Sequence, residues 1–433
     1  MVRRYNNRFT DQFPRVVFHH THKQHNMLKN YFKIALAVLR RRKFFTFISL
    51  FGISITLTIL MVLTALIDKV ANDDYPDKKR DRSLYINSIE EVGKNDRNGG
   101  PLSFYFLNHY VGSLKTAVKV AIHSGSNATN TYINNKKIDV RYKYTNAAFW
   151  EVTGYDFREG KPFTQQQIDN SEQVAVITED LKKEYFGDAP SVIGKYIEAD
   201  NVKYKVCGVV KSAPITNYIL YSDIFLPYTV SKTNYNTKEY RGEYLGILLA
   251  ASPSDVPKMQ KEFQQLISKV PMSSNMYDKI YCYADTYLMG FLRTGHEGTS
   301  GVTIAYAVIG IFTLLIMLLP TLNLVNINIT RIMERSSEIG VRKAFGASSK
   351  TLVYQFIVEN CILTLIGGLI GTILSFIVIT IFNIIQPVPN LSLSLNITVL
   401  GIALLTCLVF GLLSGVYPAW RMSRLHVVAA LKA

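Results

Sequence analysis

The 433-residue sequence lacks the compact signatures that mark most enzymes. It contains no H-E-x-x-H zinc pair, no G-x-S-x-G elbow, no spaced acidic calcium loop and no C-x-x-C. The nearest approach to a nucleotide loop is Gly187 to Lys195, GDAPSVIGK, with six residues between its glycines and Tyr196 after the lysine. A phosphate-wrapping loop needs about four residues there and a hydroxyl side chain next. The expectation is a chain that is no enzyme and carries no cofactor or metal of its own. Cysteine is scarce: Cys361 and Cys407 fall in apolar stretches, while Cys207 and Cys282 share the polar middle of the chain, where a disulfide is chemically permitted.

Charge is missing from four long stretches, and that absence organises the molecule. Phe44 to Leu66 holds 23 residues without a charge. At about 1.5 Å per residue such a helix crosses a hydrocarbon core of about 30 Å. No small-residue cleavage site follows, so it reads as a retained anchor rather than a signal peptide. Gly301 to Thr330 is a second uncharged stretch, interrupted near its end by Pro320, Asn323, Asn326 and Asn328, and Asn360 to Ile385 and Leu395 to Tyr417 supply the third and fourth. The predicted architecture is an α-helical membrane protein with four transmembrane helices and a large mixed α/β extracytoplasmic domain between helices 1 and 2.

The charge that is present lies almost wholly on one side. Residues 1–43 hold eleven Lys or Arg, residues 329–351 five and residues 420–433 three, against only Asp11, Glu334 and Glu338; residues 67–300 balance 29 bases with 28 acids. The positive-inside rule then puts both termini and the loop after span two in the cytoplasm, and the large domain outside. Anionic membrane lipids account for the basic excess, and no nucleic acid is required.

The expected segments follow. Residues 1–26 form a basic, disordered tail in which His19, His20, His22 and His25 lack a folded frame for a metal; Met27 is an alternative start. Residues 27–43 form an amphipathic interfacial helix or an extension of span one. Spans are placed at 44–67, 301–329, 352–385 and 395–418, separated by an outside domain at 68–300, a cytoplasmic segment at 330–351 and a short outer loop at 386–394; residues 419–433 are a cytoplasmic tail.

Within the outside domain, Asp68 to Gly100, with its DDYPDKKRD run, reads as a solvated connection. Strands are predicted at 138–144, 173–178, 224–228 and 244–251, with a hairpin at 197–210 turning near Asp200 and Asn201. Helices are predicted at 179–186, stopped by Gly187, and at 257–270. In span three, Gly367 and Gly371 have the small-xxx-small spacing of a helix-packing face, through which a second copy could dimerise.

The cytoplasmic stretch Arg331 to Lys350, RIMERSSEIGVRKAFGASSK, is rich in helix formers, with Glu338 and Arg342 at i,i+4. At Glu334 to Ser348 it resembles the FtsX-like permease family of ABC transporters, whose pattern approximates E-R-x-x-E-I-G-x-R-x-A-x-G-A-S; Glu334, Arg335, Glu338, Ile339, Gly340, Arg342, Ala344, Gly346, Ala347 and Ser348 match. The tail YPAWRMSRLHVVAALK is similar to a second family signature, with Met422 and Val427 departing from it. Residues 173–178, 185–187, 193–195 and 206–211 resemble the MacB-like periplasmic core domain.

The resemblance implies a permease of the bacterial inner membrane coupled to a cytoplasmic ABC ATPase dimer that binds ATP and Mg. It implies a second permease copy, identical or paralogous, and for the MacB-like branch a periplasmic adaptor and an outer-membrane channel. Glu334, Arg335, Glu338, Ile339, Gly340, Arg342 and Gly346 are the expected ATPase-coupling residues. The room before span one suits an ATPase supplied in trans. Cargo is expected among drugs, peptides or lipoproteins, and the alternative is an FtsX-like regulator of a periplasmic cell-wall hydrolase.

Overall fold

The computed structural model describes residues 43–71, 75–133, 136–293, 301–315 and 349–406, with a few isolated positions beside them. The chain divides into two compact units, residues 1–61, 314–375 and 397–433 in one, residues 62–313 and 376–396 in the other. The tail 1–26, nearly all of the interfacial segment 27–43 and of the cytoplasmic segment 330–351, and the tail 419–433 lie outside the described residues.

Helix α1 (Lys43–Ala71) carries the first uncharged run. After it come β1 (Ser83–Ile86), β2 (Ile89–Val92), β3 (Arg97–Gly100), α2 (Phe104–His109), β4 (Ala117–Ser124), β5 (Asn127–Ile133), β6 (Lys136–Thr145) and α3 (Ala148–Val152). Then follow β7 (Phe157–Gly160), α4 (Gln165–Asp169), β8 (Val174–Thr178), α5 (Glu179–Phe186), β9 (Tyr196–Ala199), β10 (Val202–Val210), β11 (Ile224–Pro227) and β12 (Tyr244–Ala250). The domain closes with α6 (Val256–Ile267), β13 (Lys279–Cys282) and α7 (Tyr287–Leu292). Three apolar helices complete the described chain: α8 (Gly301–Leu315), α9 (Ser349–Ile385) and α10 (Ile397–Thr406).

Ten strands form one mixed sheet in the order β1-β12-β4-β6-β11-β8-β10-β7, with β5 on β6 and β9 on β10. The β10–β8 and β11–β6 pairs are parallel and the others antiparallel. Both faces are buried, which is why β8 reads as an unbroken apolar run. Leu84, Ile86, Ala175, Ile177, Ile224 and Leu226 enter one core with Phe106 and Phe263 from α2 and α6; Tyr85, Val174, Val176 and Phe225 enter the other with Phe149 and Trp150 from α3. A second sheet, β13-β2-β3, stands apart. The β9–β10 turn places Asp200 and Asn201 at φ of 52° and 61°, left-handed values that Asn and Asp tolerate. Helix α5 is capped by the Thr178 side chain, which accepts from the Leu181 N–H, and stopped by Gly187 at φ 63°.

Two of the four expected spans are present at full length among the described residues: Lys43–Lys69 and Ile357–Ile385 are long and apolar enough to cross a membrane. Gly301–Leu315 and Ile397–Thr406 are shorter apolar helices, and the residues after them are mostly outside the described set. Among the described residues, two full-length spans are therefore seen where four were expected.

In the first unit, α1 and α9 pack at close range. A Cβ on Gly367 would lie 2.8 Å from Ile53 Cγ2, and one on Gly371 would lie 2.9 Å from the Ser54 carbonyl and 3.0 Å from Leu57 Cβ. Thr58 Oγ1 donates to the Gly371 carbonyl at 3.2 Å. In the second unit, Ala65 of α1, Ile379 of α9 and Leu391 and Leu393 of the following loop form one apolar cluster. Asn383 holds that loop in place, its Nδ2 donating to the Leu393 carbonyl and its Oδ1 accepting from the Leu393 N–H, both at 2.8 Å.

Candidate functional site

The coupling residues expected from sequence, Glu334, Arg335, Glu338, Ile339, Gly340, Arg342 and Gly346, lie outside the described residues. Gly367 and Gly371 are described, and their face is occupied by the chain's own α1. A second copy reaching that face would have to displace α1, so the dimer contact expected there does not fit this packing.

The site that the structure does assemble is a joint where the connectors of α1 and α8 meet the extracytoplasmic domain. Residues 75–82 follow α1 and residues 285–293 precede α8, and both are held on strand β1. The run expected to be solvated instead buries two of its charges: Asp77 is 3% exposed and Arg80 6%, while Lys78 and Asp81 stay exposed. Asp77 Oδ2 accepts from Arg80 Nε at 2.8 Å and from the Tyr85 hydroxyl at 2.6 Å. The Arg80 guanidinium lies 3.8 Å from the Tyr287 ring centroid, and Tyr287 meets Tyr85 edge-on at 5.4 Å.

On the other connector, Tyr85 and Asp285 exchange two backbone hydrogen bonds, at 2.7 and 2.9 Å. The Asp285 carboxylate accepts Arg293 Nε and Nη2, each at 2.6 Å, and the Arg293 guanidinium lies 3.8 Å from the Tyr283 ring centroid. Tyr85 thus touches both connectors at once, by its hydroxyl to one and its backbone to the other.

The electrostatics keep this joint closed. Burial opposes the Arg80 charge, but the Asp77 carboxylate outweighs it and raises the guanidinium pKa further. Burial, reinforced by Asp77, pushes the Tyr85 phenol well above its ordinary range, so it stays a donor. Hydrogen bonding to Asp285 raises Arg293. Bidentate Arg–carboxylate pairs and a buried ion pair fix orientation more than they add net stability. The joint is suited to carrying displacement between helix and domain.

Other chemistry is lacking among the described residues. No group of three His, Cys, Asp or Glu is placed to hold a metal ion. Cys207 and Cys282 are free thiols rather than a disulfide; burial pushes Cys207 up to about 12 and Cys282 higher, which suppresses the nucleophilic thiolate. Sequence reading missed the joint because Asp77 and Arg80 sit in a run dense with Asp and Lys. The available signal was the i,i+3 spacing of opposite charges beside Tyr75 and Tyr85.

Comparison with known proteins agrees on both parts of the chain. Residues 46–266 match the family model of the MacB-like periplasmic core domain, and residues 310–427 match that of the FtsX-like permease C-terminal. The chain is 24% identical over 353 residues to an uncharacterized ABC transporter permease, YknZ, of Bacillus subtilis, covering 80% of this chain and 84% of that protein. It is 25% identical over 411 residues to the macrolide export ATP-binding/permease protein MacB of Shewanella oneidensis, covering 92% of this chain and 60% of that one. A pyoverdine export ATP-binding/permease protein, PvdT of Pseudomonas aeruginosa, is 28% identical over 289 residues, covering 66% of this chain and 41% of PvdT. The chain therefore spans about 60% or less of the length of these two ATP-binding relatives.

Proposed function

Because the chain belongs to the FtsX-like permease family of ABC transporters and carries a MacB-like periplasmic core domain, we propose that it couples ATP hydrolysis by a partner ATPase to movement of that domain. Both matched regions are transport rather than catalytic parts, and ATPase activity is expected from a separate subunit. The protein is a membrane permease with a large periplasmic domain.

In the fuller reading, α8 and α10 are the described portions of two further spans, giving four, with both termini cytoplasmic. The segment Arg331 to Lys350 bears on the ATPase dimer, with Glu334, Arg335, Glu338, Ile339, Gly340, Arg342 and Gly346 as the contact. A second permease copy, identical or paralogous, completes the membrane part, with an adaptor and an outer-membrane channel where export crosses two membranes. The cargo we propose is a drug, peptide or lipoprotein; export as such is supported by the macrolide and pyoverdine exporters among the relatives.

The supporting observation is the joint at β1. A domain that only bound a ligand would have no need of two connectors clamped by buried charge to one strand. A domain worked by the helices would, since coupling between distant sites runs through elements with discrete arrangements. Glu338→Lys tests the cytoplasmic end. Membrane insertion and domain folding are expected to be unchanged, while stimulation of the partner ATPase is lost in reconstituted vesicles. Normal stimulation would remove Glu338 from the contact.

A further inference from the structure

One loop of the periplasmic domain, residues 211–221, lies beside the described stretches that follow α1 and α9 and precede α8. Tyr75, four positions beyond the end of α1 at Ala71, donates its hydroxyl to the Lys211 carbonyl at 2.5 Å, and Lys211 Nζ sits 4.9 Å from the Tyr75 ring centroid. Phe291, in the connector before α8, meets the Tyr218 ring at 5.5 Å. Pro389 and Asn390, just past the end of α9 at Ile385, line a cavity of about 230 Å³ together with Ile215 and Tyr221.

These tethers fix the height of the loop. Extended chain covers at most about 3.5 Å per residue, so four residues reach no more than about 14 Å. The loop after α9 does not extend outward, because Leu391 and Leu393 turn back onto Ala65 and Ile379. Head groups occupy roughly 5–8 Å beyond the hydrocarbon on each side. Loop 211–221 is thereby held at the base of the domain, close to the lipid surface.

The loop is also pinned from within. Ile219 and Leu220 are buried, the Leu220 carbonyl accepts the Tyr155 hydroxyl at 2.7 Å, and the Ile219 carbonyl accepts Lys143 Nζ. Turn hydrogen bonds from the Asn217 N–H to Pro214 and from the Tyr221 N–H to Asn217 shape it. Against that fixed backbone three large apolar side chains face outward: Ile215 at 43% exposure, Tyr218 at 49% and Phe291 at 51%.

We propose that Ile215, Tyr218 and Phe291 form a lipid contact, seated in the head-group layer of the outer leaflet. An aromatic ring with a polar tip suits that layer, and apolar faces enter the acyl boundary by about 5–10 Å. The contact sets the height of the domain base over the bilayer and gives the joint at β1 a surface to work against. It rests on α1 and α9 crossing the membrane, and not on the ATPase partnership.

Tryptophan quenching in the full chain tests this. Tyr218→Trp, Phe291→Trp, Met276→Trp and Ile59→Trp are each placed in phosphatidylcholine nanodiscs, with the parent chain supplying the background. Met276 is 59% exposed but separated from the α8 connector by β13, and Ile59 is 48% exposed in the middle of α1. Lipid brominated high on the acyl chain should quench the probes at 218 and 291 clearly above the parent background, while acrylamide reaches them poorly. The 276 probe should show the reverse. Free access of acrylamide at 218 and 291 without quenching by brominated lipid would overturn the contact, and would leave that face open to a protein instead. Absence of quenching at 59 by lipid brominated near the end of the acyl chain, at the depth of the middle of α1, would overturn the membrane crossing itself.

Discussion

His123 is fully buried, its Nδ1 2.9 Å from the Ser124 carbonyl, and it pairs across β4 and β6 with Thr145, two residues from the equally buried Lys143. Burial, and then the Lys143 charge, pushes the His123 imidazole down to about 3; burial pushes Lys143 down to about 7. Unfolded histidine titrates near 6.5, so between about pH 6.5 and 3 the unfolded chain holds the extra proton and stability falls as pH falls. For Lys143 the same sign applies between about pH 7 and 10.4, where stability rises with pH. A tenfold change in proton affinity corresponds to about 1.4 kcal/mol, so His123 alone can cost several kcal/mol by pH 3. His123→Phe should therefore flatten the decline of the domain's melting temperature between pH 6 and 4. An unchanged slope would mean that other groups set the acid response. At the joint, Asp77→Ala leaves Arg80 buried without its carboxylate and should cost about 3–5 kcal/mol in chemical denaturation. A loss below about 1 kcal/mol would show that the pair is solvated after all.

At the scale of elements, helix packing in the membrane depends on the absence of side chains. A Cβ at Gly371 meets the Ser54 carbonyl, which belongs to a helix backbone and cannot rotate away, whereas one at Gly52 meets nothing within 4 Å. Gly371→Ala should lower stability in detergent by about 1–3 kcal/mol, and Gly52→Ala should be neutral or stabilising by up to about 1 kcal/mol. Equal effects would contradict the α1–α9 contact. Part of the sheet was legible beforehand, because burial on both faces writes strands as apolar runs: β8, β11 and β12 lie where QVAVIT, Ile224 and Tyr244 pointed, and α5 fills 179–186, whereas β4, β5 and β7 were not predicted and β1 lies in the stretch read as a solvated connection. The joint was not legible, since hydropathy cannot tell a solvated Asp–Arg pair from one buried against Tyr287. That α1 occupies the face of Gly367 and Gly371 was not legible, since only the fold decides it.

At the scale of the whole molecule, nearly all the net positive charge lies in segments predicted to be cytoplasmic, and the large domain is almost neutral. The domain is tied to the membrane helices through β1, where Tyr85 contacts the connectors of α1 and α8. Under the proposed function, motion delivered to either connector would reach the edge strand of the ten-stranded sheet, and the proposed lipid contact would supply a fixed reference. In the proposed function the chain works with a separate subunit that hydrolyses ATP. The most direct test is purification of the intact chain from native membranes in mild detergent, followed by partner identification and ATPase assay. The account predicts recovery of an ABC ATPase whose hydrolysis is stimulated by the permease. Recovery of the intact chain without any such ATPase, under conditions that preserve a related complex, would contradict it.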